Sequence, residues 1–203
     1  MEALQELIAS LVERNWAVTE QFLPQEILSA LYAGARSRWE QGNMRPAGTG
    51  RGRDFAVREE IRGDHICWID PQHPCNAAES AYVQAMEALR VLLNRELFLS
   101  LVDFEAHYAV YPPGAFYRRH VDCFRTDDRR MLSTVLYLNP GWNARNGGQL
   151  RLHHPDGCWT DILPRMGTFV IFCSDAVPHE VLPASTWRFS LTAWLRRRGL
   201  LPF

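Results

Sequence analysis

Two of the seven histidines open an H-x-D triplet, His120-Val121-Asp122 and His154-Pro155-Asp156. The second runs into Pro155-Asp156-Gly157, whose residue types suit a hairpin turn, and it is read as a turn rather than a ligand pair. His120 and Asp122 fall two residues apart at the end of an extended run. Both therefore project from one face of a strand and offer an imidazole and a carboxylate to a single ion. The third ligand has to come from elsewhere, and His179, near a strand start after Val177-Pro178, is the natural one. Two histidines and a carboxylate on one face of an octahedral ion make the facial triad of non-heme iron(II), with three positions open for substrate and oxygen. Taken alone, His120 and His179 have a commoner explanation as ordinary polar residues at strand ends.

Arg188 follows nine residues after His179, in a run whose alternation puts Arg188, Ser190, Thr192 and Trp194 on one face. Phe189, Leu191, Ala193 and Leu195 take the other. An arginine turned inward on such a strand suits a bidentate carboxylate partner, because its guanidinium is a planar fork of donors. On the strand expected over residues 131–139, the matching inward set is Ser133, Val135 and Tyr137. A tyrosine hydroxyl beside that arginine completes a socket for the tail of a dicarboxylate. In isolation Arg188 is better read as half of a surface salt bridge.

Composition removes several other chemistries. All 22 basic residues are arginine, which excludes lysine Schiff bases and the lysine of a phosphate-cradling loop. No G-x-S-x-G, H-E-x-x-H or Walker motif occurs. None of the five cysteines lies in a C-x-x-C, so neither a zinc knuckle nor a thioredoxin-type pair is expected. A net charge of −1 gives no electrostatic case for nucleic acid or an anionic membrane. The first residues carry acids where a signal peptide carries basic ones, and no apolar run approaches membrane-spanning length. A cytoplasmic protein with reduced thiols is expected.

The elements that must position these residues divide the chain, read as one domain over 1–203. Residues 1–100 read mainly as helix. Leu4, Leu7, Ile8 and Leu11 recur at helical spacing, and Pro24 opens a segment with Ile27, Leu28, Leu31 and Tyr32. A third helix is expected over about 76–94, with Ala81, Ala85, Ala88, Leu89 and Leu92 on one side. Between the last two, residues 42–53 are rich in glycine and arginine and read as a mobile surface loop. From about residue 102, short β-type runs are expected at 103–111, 116–122, 131–139, 149–153, 158–163, 168–172, 180–182 and 187–195, separated by turn residues. The fold class is α+β: a jelly roll, or double-stranded β-helix, of about eight strands over 101–198, braced by the N-terminal helices.

Together these residues resemble the iron(II)- and 2-oxoglutarate-dependent oxygenases, and among them the prolyl hydroxylases of the hypoxia-inducible-factor type and their bacterial relatives. The segment Ile61-Arg62-Gly63-Asp64-His65-Ile66-Cys67-Trp68-Ile69 is similar to that group's I-R-G-D-x-x-x-W-I. Tyr111-Pro112, Tyr117 through Asp122, Tyr137-Leu138-Asn139, Gly147-Gly148, Pro178-His179 and Arg188 through Trp194 follow in the family's order. The resemblance implies iron(II) on His120, Asp122 and His179, and 2-oxoglutarate with its distal carboxylate on Arg188 and Tyr137. Tyr111, Thr192 and Val135 would line the cofactor pocket. Arg62, Asp64, Arg130 (in the loop before the Tyr137 strand) and Trp194 would lie near a peptide substrate, under a lid formed by loop 42–60. It further implies oxygen as co-substrate, stimulation by ascorbate (vitamin C), and hydroxylation at C4 of a prolyl residue in an intracellular protein. For bacterial members elongation factor Tu is the indicated partner, and an oxygen-sensing role goes with the family.

Two residues depart from the pattern. His107 shares a face with Tyr111 and would place an imidazole near the cofactor where an apolar residue is expected. Tyr117 matches in sequence, yet its parity puts it on the face opposite His120. Three other readings remain open at this level: an oxygenase of the same superfamily acting on amino acids or alkylated bases, a non-catalytic 2-oxoglutarate or oxygen sensor, and a metal-free jelly-roll binding module.

Overall fold

A computed structural model describes residues 2–48, 56–123 and 129–199. The chain order is α1 (Glu2–Arg14), β1 (Trp16–Thr19), α2 (Gln25–Glu40), β2 (Arg45–Pro46), β3 (His65–Ile69), α3 (Ala77–Leu97), and then eight strands. These are β4 (Leu101–Tyr111), β5 (Tyr117–His120), β6 (Arg130–Tyr137), β7 (Leu150–His153), β8 (Trp159–Ile162), β9 (Phe169–Cys173), β10 (His179–Val181) and β11 (Arg188–Arg197). They divide four and four: β4, β6, β9 and β11 in a major sheet ordered β1-β9-β6-β11-β4-β3-β2, the rest in a minor sheet ordered β5-β10-β7-β8. The pairings between these strands are antiparallel. The expected jelly roll of eight strands is present.

Period-two alternation gives the major sheet two apolar faces. One carries Val110, Leu136, Ile171, Phe189, Leu191 and Leu195 and packs against the helices, through Leu7 and Leu11 of α1, Leu28 and Leu31 of α2, and Tyr82, Met86 and Leu89 of α3. The other, with Ala109, Val135, Val170 and Phe172, closes on Leu150, Leu152 and Val181 of the minor sheet. A buried polar knot ties the helices to the roll. Glu79 of α3 pairs with Arg38 of α2, and accepts from Cys75 N at 2.9 Å and from Tyr108 Oη of β4 at 3.2 Å.

Four expectations need correction. The first hundred residues are not helical support alone, because β1, β2 and β3 widen the major sheet at its edges. These strands are too short, two to five residues, for alternation to mark them. The α3 stripe that faces the core is Ala78, Tyr82, Met86, Leu89 and Leu93 rather than the alanine-rich side, since bulky side chains remove more apolar area from water. Arg130 is the first residue of β6, not a loop residue. The loop expected over 42–60 begins as structure: Arg45 pairs with Ile66, Ala47 N donates to Asp64 O, and Met44 and Ala47 are buried. Residues 49–55 of that lid lie outside the described residues. Elsewhere the turn reading of His154-Pro155-Asp156 holds: Asp156 Oδ1 accepts from Cys158 N at 2.9 Å, and Gly157 has φ +88°.

Candidate active site

His120 ends β5 and stands directly opposite His179, the first residue of β10, while Asp122 lies just past β5. His120 Nε2 is 3.6 Å from Asp122 Oδ1, and His179 Nε2 is 3.7 Å from Asp122 Oδ2. One ligand atom from each residue falls within 4.8 Å of the other two. Both rings are turned by backbone carbonyls: Nδ1–H of His120 donates to Arg118 O at 2.7 Å and Nδ1–H of His179 to Val177 O at 3.0 Å. That orientation leaves both Nε2 lone pairs facing Asp122, as a metal-binding imidazole requires.

Asp122 is held in turn. Its backbone N–H donates to Ser174 O, its Oδ2 accepts from Ser133 Oγ at 2.7 Å, and Ser133 Oγ lies 2.8 Å from Ser174 Oγ. Burial pushes its carboxyl pKa up, but the two imidazoles and the Ser133 hydroxyl outweigh burial and hold it below the usual range. Burial lowers His179 to about 4, against the opposing pull of Asp122, so its ring is neutral at physiological pH. A carboxylate and two imidazoles converging at this spacing fit an iron(II) facial triad.

The profile of the 2OG-Fe(II) oxygenase superfamily matches residues 106–196. A Pseudomonas putida prolyl-4-hydroxylase of known crystal structure is 49% identical, with a TM-score of 0.88 over 97% of this chain and 100% of that one. The chain belongs to the 2OG-Fe(II) oxygenase superfamily. A Trichoplax adhaerens prolyl hydroxylase, solved with a hypoxia inducible factor peptide fragment, is 25% identical with a TM-score of 0.86, over 96% of this chain and 89% of that one. The hypoxia-inducible factor prolyl hydroxylase of Caenorhabditis elegans is 32% identical over 94% of this chain, which spans 28% of the worm protein's length.

In this oxygenase the expected socket for 2-oxoglutarate is built by the major sheet. Arg188 is 2% exposed, and its Nε donates to Gly148 O at 2.9 Å. Its guanidinium lies 5.0 Å from the Tyr111 ring and 4.9 Å from the Tyr137 ring. Among the described residues no carboxylate pairs with it, so the surface salt bridge is excluded and a buried cation is left facing a cavity. Tyr137 Oη is also buried without a hydrogen-bond partner, and burial pushes that phenol up to about 12, keeping it a donor. A buried cation without a carboxylate partner, beside a donor hydroxyl, fits the distal carboxylate of 2-oxoglutarate. Tyr111, Val135, Thr192 and Trp194 line the same pocket, as does Ser190, which alternation placed inward without a role.

Arg62 and Asp64 reach the pocket too, but as a bidentate pair at 2.6 and 2.7 Å. Arg130 donates to Glu105 at 2.8 Å and covers the Trp194 ring at 3.5 Å. Tyr117 overturns its expected placement. Its ring stacks on His120, centroids 3.5 Å apart, and lines the pocket. The cause is a β-bulge: His179 pairs with His120 and Val181 with Tyr117, so a two-residue step along β10 matches a three-residue step along β5 and the parity is reset. Only the pairing partner could reveal that. The contacts that give Ser133, Ser174 and the Gly148 carbonyl their roles were likewise beyond sequence reading, although alternation had turned Ser133 inward.

Proposed function

We infer that the chain is a prolyl 4-hydroxylase dependent on iron(II) and 2-oxoglutarate, acting on a prolyl residue of a protein substrate. The observation that carries this reading is the buried, carboxylate-free Arg188 on the same pocket as the His120–Asp122–His179 triad. The 49% identity to the Pseudomonas putida prolyl-4-hydroxylase supports the prolyl specificity.

When bound, iron(II) would activate oxygen, with 2-oxoglutarate giving up two electrons as it becomes succinate and carbon dioxide and the substrate C–H bond giving the other two as it takes one oxygen atom. The chain's own contribution is geometric and electrostatic. His120, Asp122 and His179 hold the metal, with Ser133 fixing the carboxylate and two backbone carbonyls fixing the rings. Arg188 and Tyr137 bind the far carboxylate and so set the direction of the co-substrate. Tyr117, Phe172 and Val181 wall the metal from water. Trp194 and the Arg62–Asp64 pair line the pocket, and with Arg130 beside Trp194 they are the residues assigned to the peptide side of the site.

The finer reading rests on family resemblance alone. It names elongation factor Tu as protein substrate, an oxygen-sensing role, stimulation by ascorbate and action in the cytoplasm. Anaerobic titration of iron(II) and 2-oxoglutarate into the apoprotein tests the cofactor chemistry: the chelate's weak visible charge-transfer band is expected in wild type and absent in His179→Ala. No band with the protein folded would overturn the oxygenase reading. Mass spectrometry of aerobic incubations with elongation factor Tu, seeking one added oxygen at a prolyl residue, tests the substrate.

A further inference from the structure

His107 is a buried imidazole for which no hydrogen bond is made among the described residues. It is 2% exposed on the inner face of β4, lines the active-site pocket, and its Nδ1 makes no hydrogen bond. Trp68 and Trp194 bracket the ring edge-on, with centroids 5.0 and 5.3 Å away. Trp194 Nε1 is also buried and unpartnered, and an indole N–H only donates. Such groups are costly to leave unpaired, so packing alone would favour an apolar residue here. Burial first, then Arg62, lowers the imidazole to about 3, so the ring is neutral and carries one N–H.

Strand register shows which rows of the sheet lie on either side of that ring. Across the major sheet, Arg188 pairs with Tyr111. Two residues on, Ser190 stands between Ala109 and Tyr137. Thr192 then stands between His107 and Val135, and Trp194 between Glu105 and Ser133. Arg188 and Tyr137 occupy the first two rows, and Ser133 in the fourth bonds Asp122. A diacid gripped by its tail at Arg188 and Tyr137 and by its head at a metal on Asp122 has to cross the Thr192–His107–Val135 row. Its head carries only acceptor oxygens.

We propose that His107 is a positioning residue for the oxo-acid head of 2-oxoglutarate, its imidazole N–H donating a hydrogen bond to the head carboxylate. The assignment rests on the reading of this pocket as a 2-oxoglutarate site. It makes the imidazole a determinant of which co-substrate binds and how it is oriented, alongside the tail grip of Arg188.

The test is anaerobic titration of 2-oxoglutarate into the iron(II)-loaded full chain, by charge-transfer absorbance and calorimetry, for wild type, His107→Phe, His107→Asn and His107→Gln. Phenylalanine keeps the edge-on packing and removes the N–H. It is expected to weaken binding about ten- to a hundredfold, the worth of a hydrogen bond to a charged group. At least one amide variant, which restores an N–H, is expected to recover most of that loss. Cobalt(II) affinity, read from its d–d bands, should be the same in all four. Unchanged 2-oxoglutarate affinity in His107→Phe overturns the proposal, as does an equal loss in all three variants, which would mark a role in shape alone. Should His107→Phe fail to fold, His107→Met takes its place, being apolar and adaptable to irregular gaps. Failure of the underlying reading looks different, because wild type itself would then show no chelate band.

Discussion

A guanidinium buried to 2% exposure, bonded through Nε to a backbone carbonyl and facing no carboxylate among the described residues, is a liability to the apoprotein. The same group is an asset once a carboxylate arrives, and the two effects separate cleanly in one substitution. Arg188→Met removes the buried charge and keeps most of the volume. Thermal unfolding of the apoprotein should therefore show it as stable as wild type or more so, by up to about 2 kcal/mol. Its 2-oxoglutarate affinity should fall by at least about a hundredfold, the loss of a charge-assisted bidentate contact. A variant that lost stability and affinity together would mean that Arg188 is structural. The triad follows a different logic. There the carboxylate is already held in its charged form by the two imidazoles and the Ser133 hydroxyl, which outweigh its burial.

At the level of elements, two loops and a bulge give the strands their chemistry. Gly148 precedes β7 with φ +70°, and a Cβ there would meet Ala184 Cβ at 2.9 Å, Trp142 Cζ2 at 3.1 Å and Arg188 Cδ at 3.2 Å. Its carbonyl is also the acceptor that orients Arg188. Gly148→Ala strains the backbone and displaces the arginine, so a stability loss of about 1–3 kcal/mol is expected, with a raised KM for 2-oxoglutarate and unchanged iron(II) affinity. Steady-state kinetics with metal titration would check the split, and equal loss of both ligands would argue for collapse instead. Beside it, Asn139 binds the end of β6 to β11: its amide donates to Pro164 O and Phe189 O and accepts from Phe189 N, next to Arg188 in the chain. The Tyr137-Leu138-Asn139 motif thus joins one cofactor contact to the clamp that steadies another.

Across the whole molecule, the buried histidines set an acid limit. His107 is lowered to about 3 and His179 to about 4, in both cases chiefly by burial. An unfolded chain protonates both near pH 6.5, whereas the folded apoprotein does not until their lower values are reached. The unfolded state therefore binds more protons over that window, and stability falls as pH drops from about 6.5 toward 4. It is flat with respect to these two groups above that window. Denaturant unfolding of the metal-free chain from pH 8 to pH 4 should show the decline, and His107→Phe should reduce its slope by about one proton. A profile unchanged by that substitution would mean that the His107 ring is charged in the fold or exposed.

The sequence by itself determined the donor set and its faces. His120 with Asp122, and Arg188 with Ser190, Thr192 and Trp194, follow from residue type and the period of two, which are local properties of an extended chain. Eight short apolar runs with turn residues between them determined the jelly roll in the same way. Only tertiary structure decided the rest. The bulge that turns Tyr117 onto His120 exists only in the pairing of β5 with β10. Whether Arg188 met a carboxylate depended on what the other strands brought within reach, and none did among the described residues. The α3 face was settled by side-chain volume against the sheet, and β1, β2 and β3 by neighbours that recruited segments too short to declare themselves. Local periodicity reports where a side chain points, and contacts between distant segments report what it meets there.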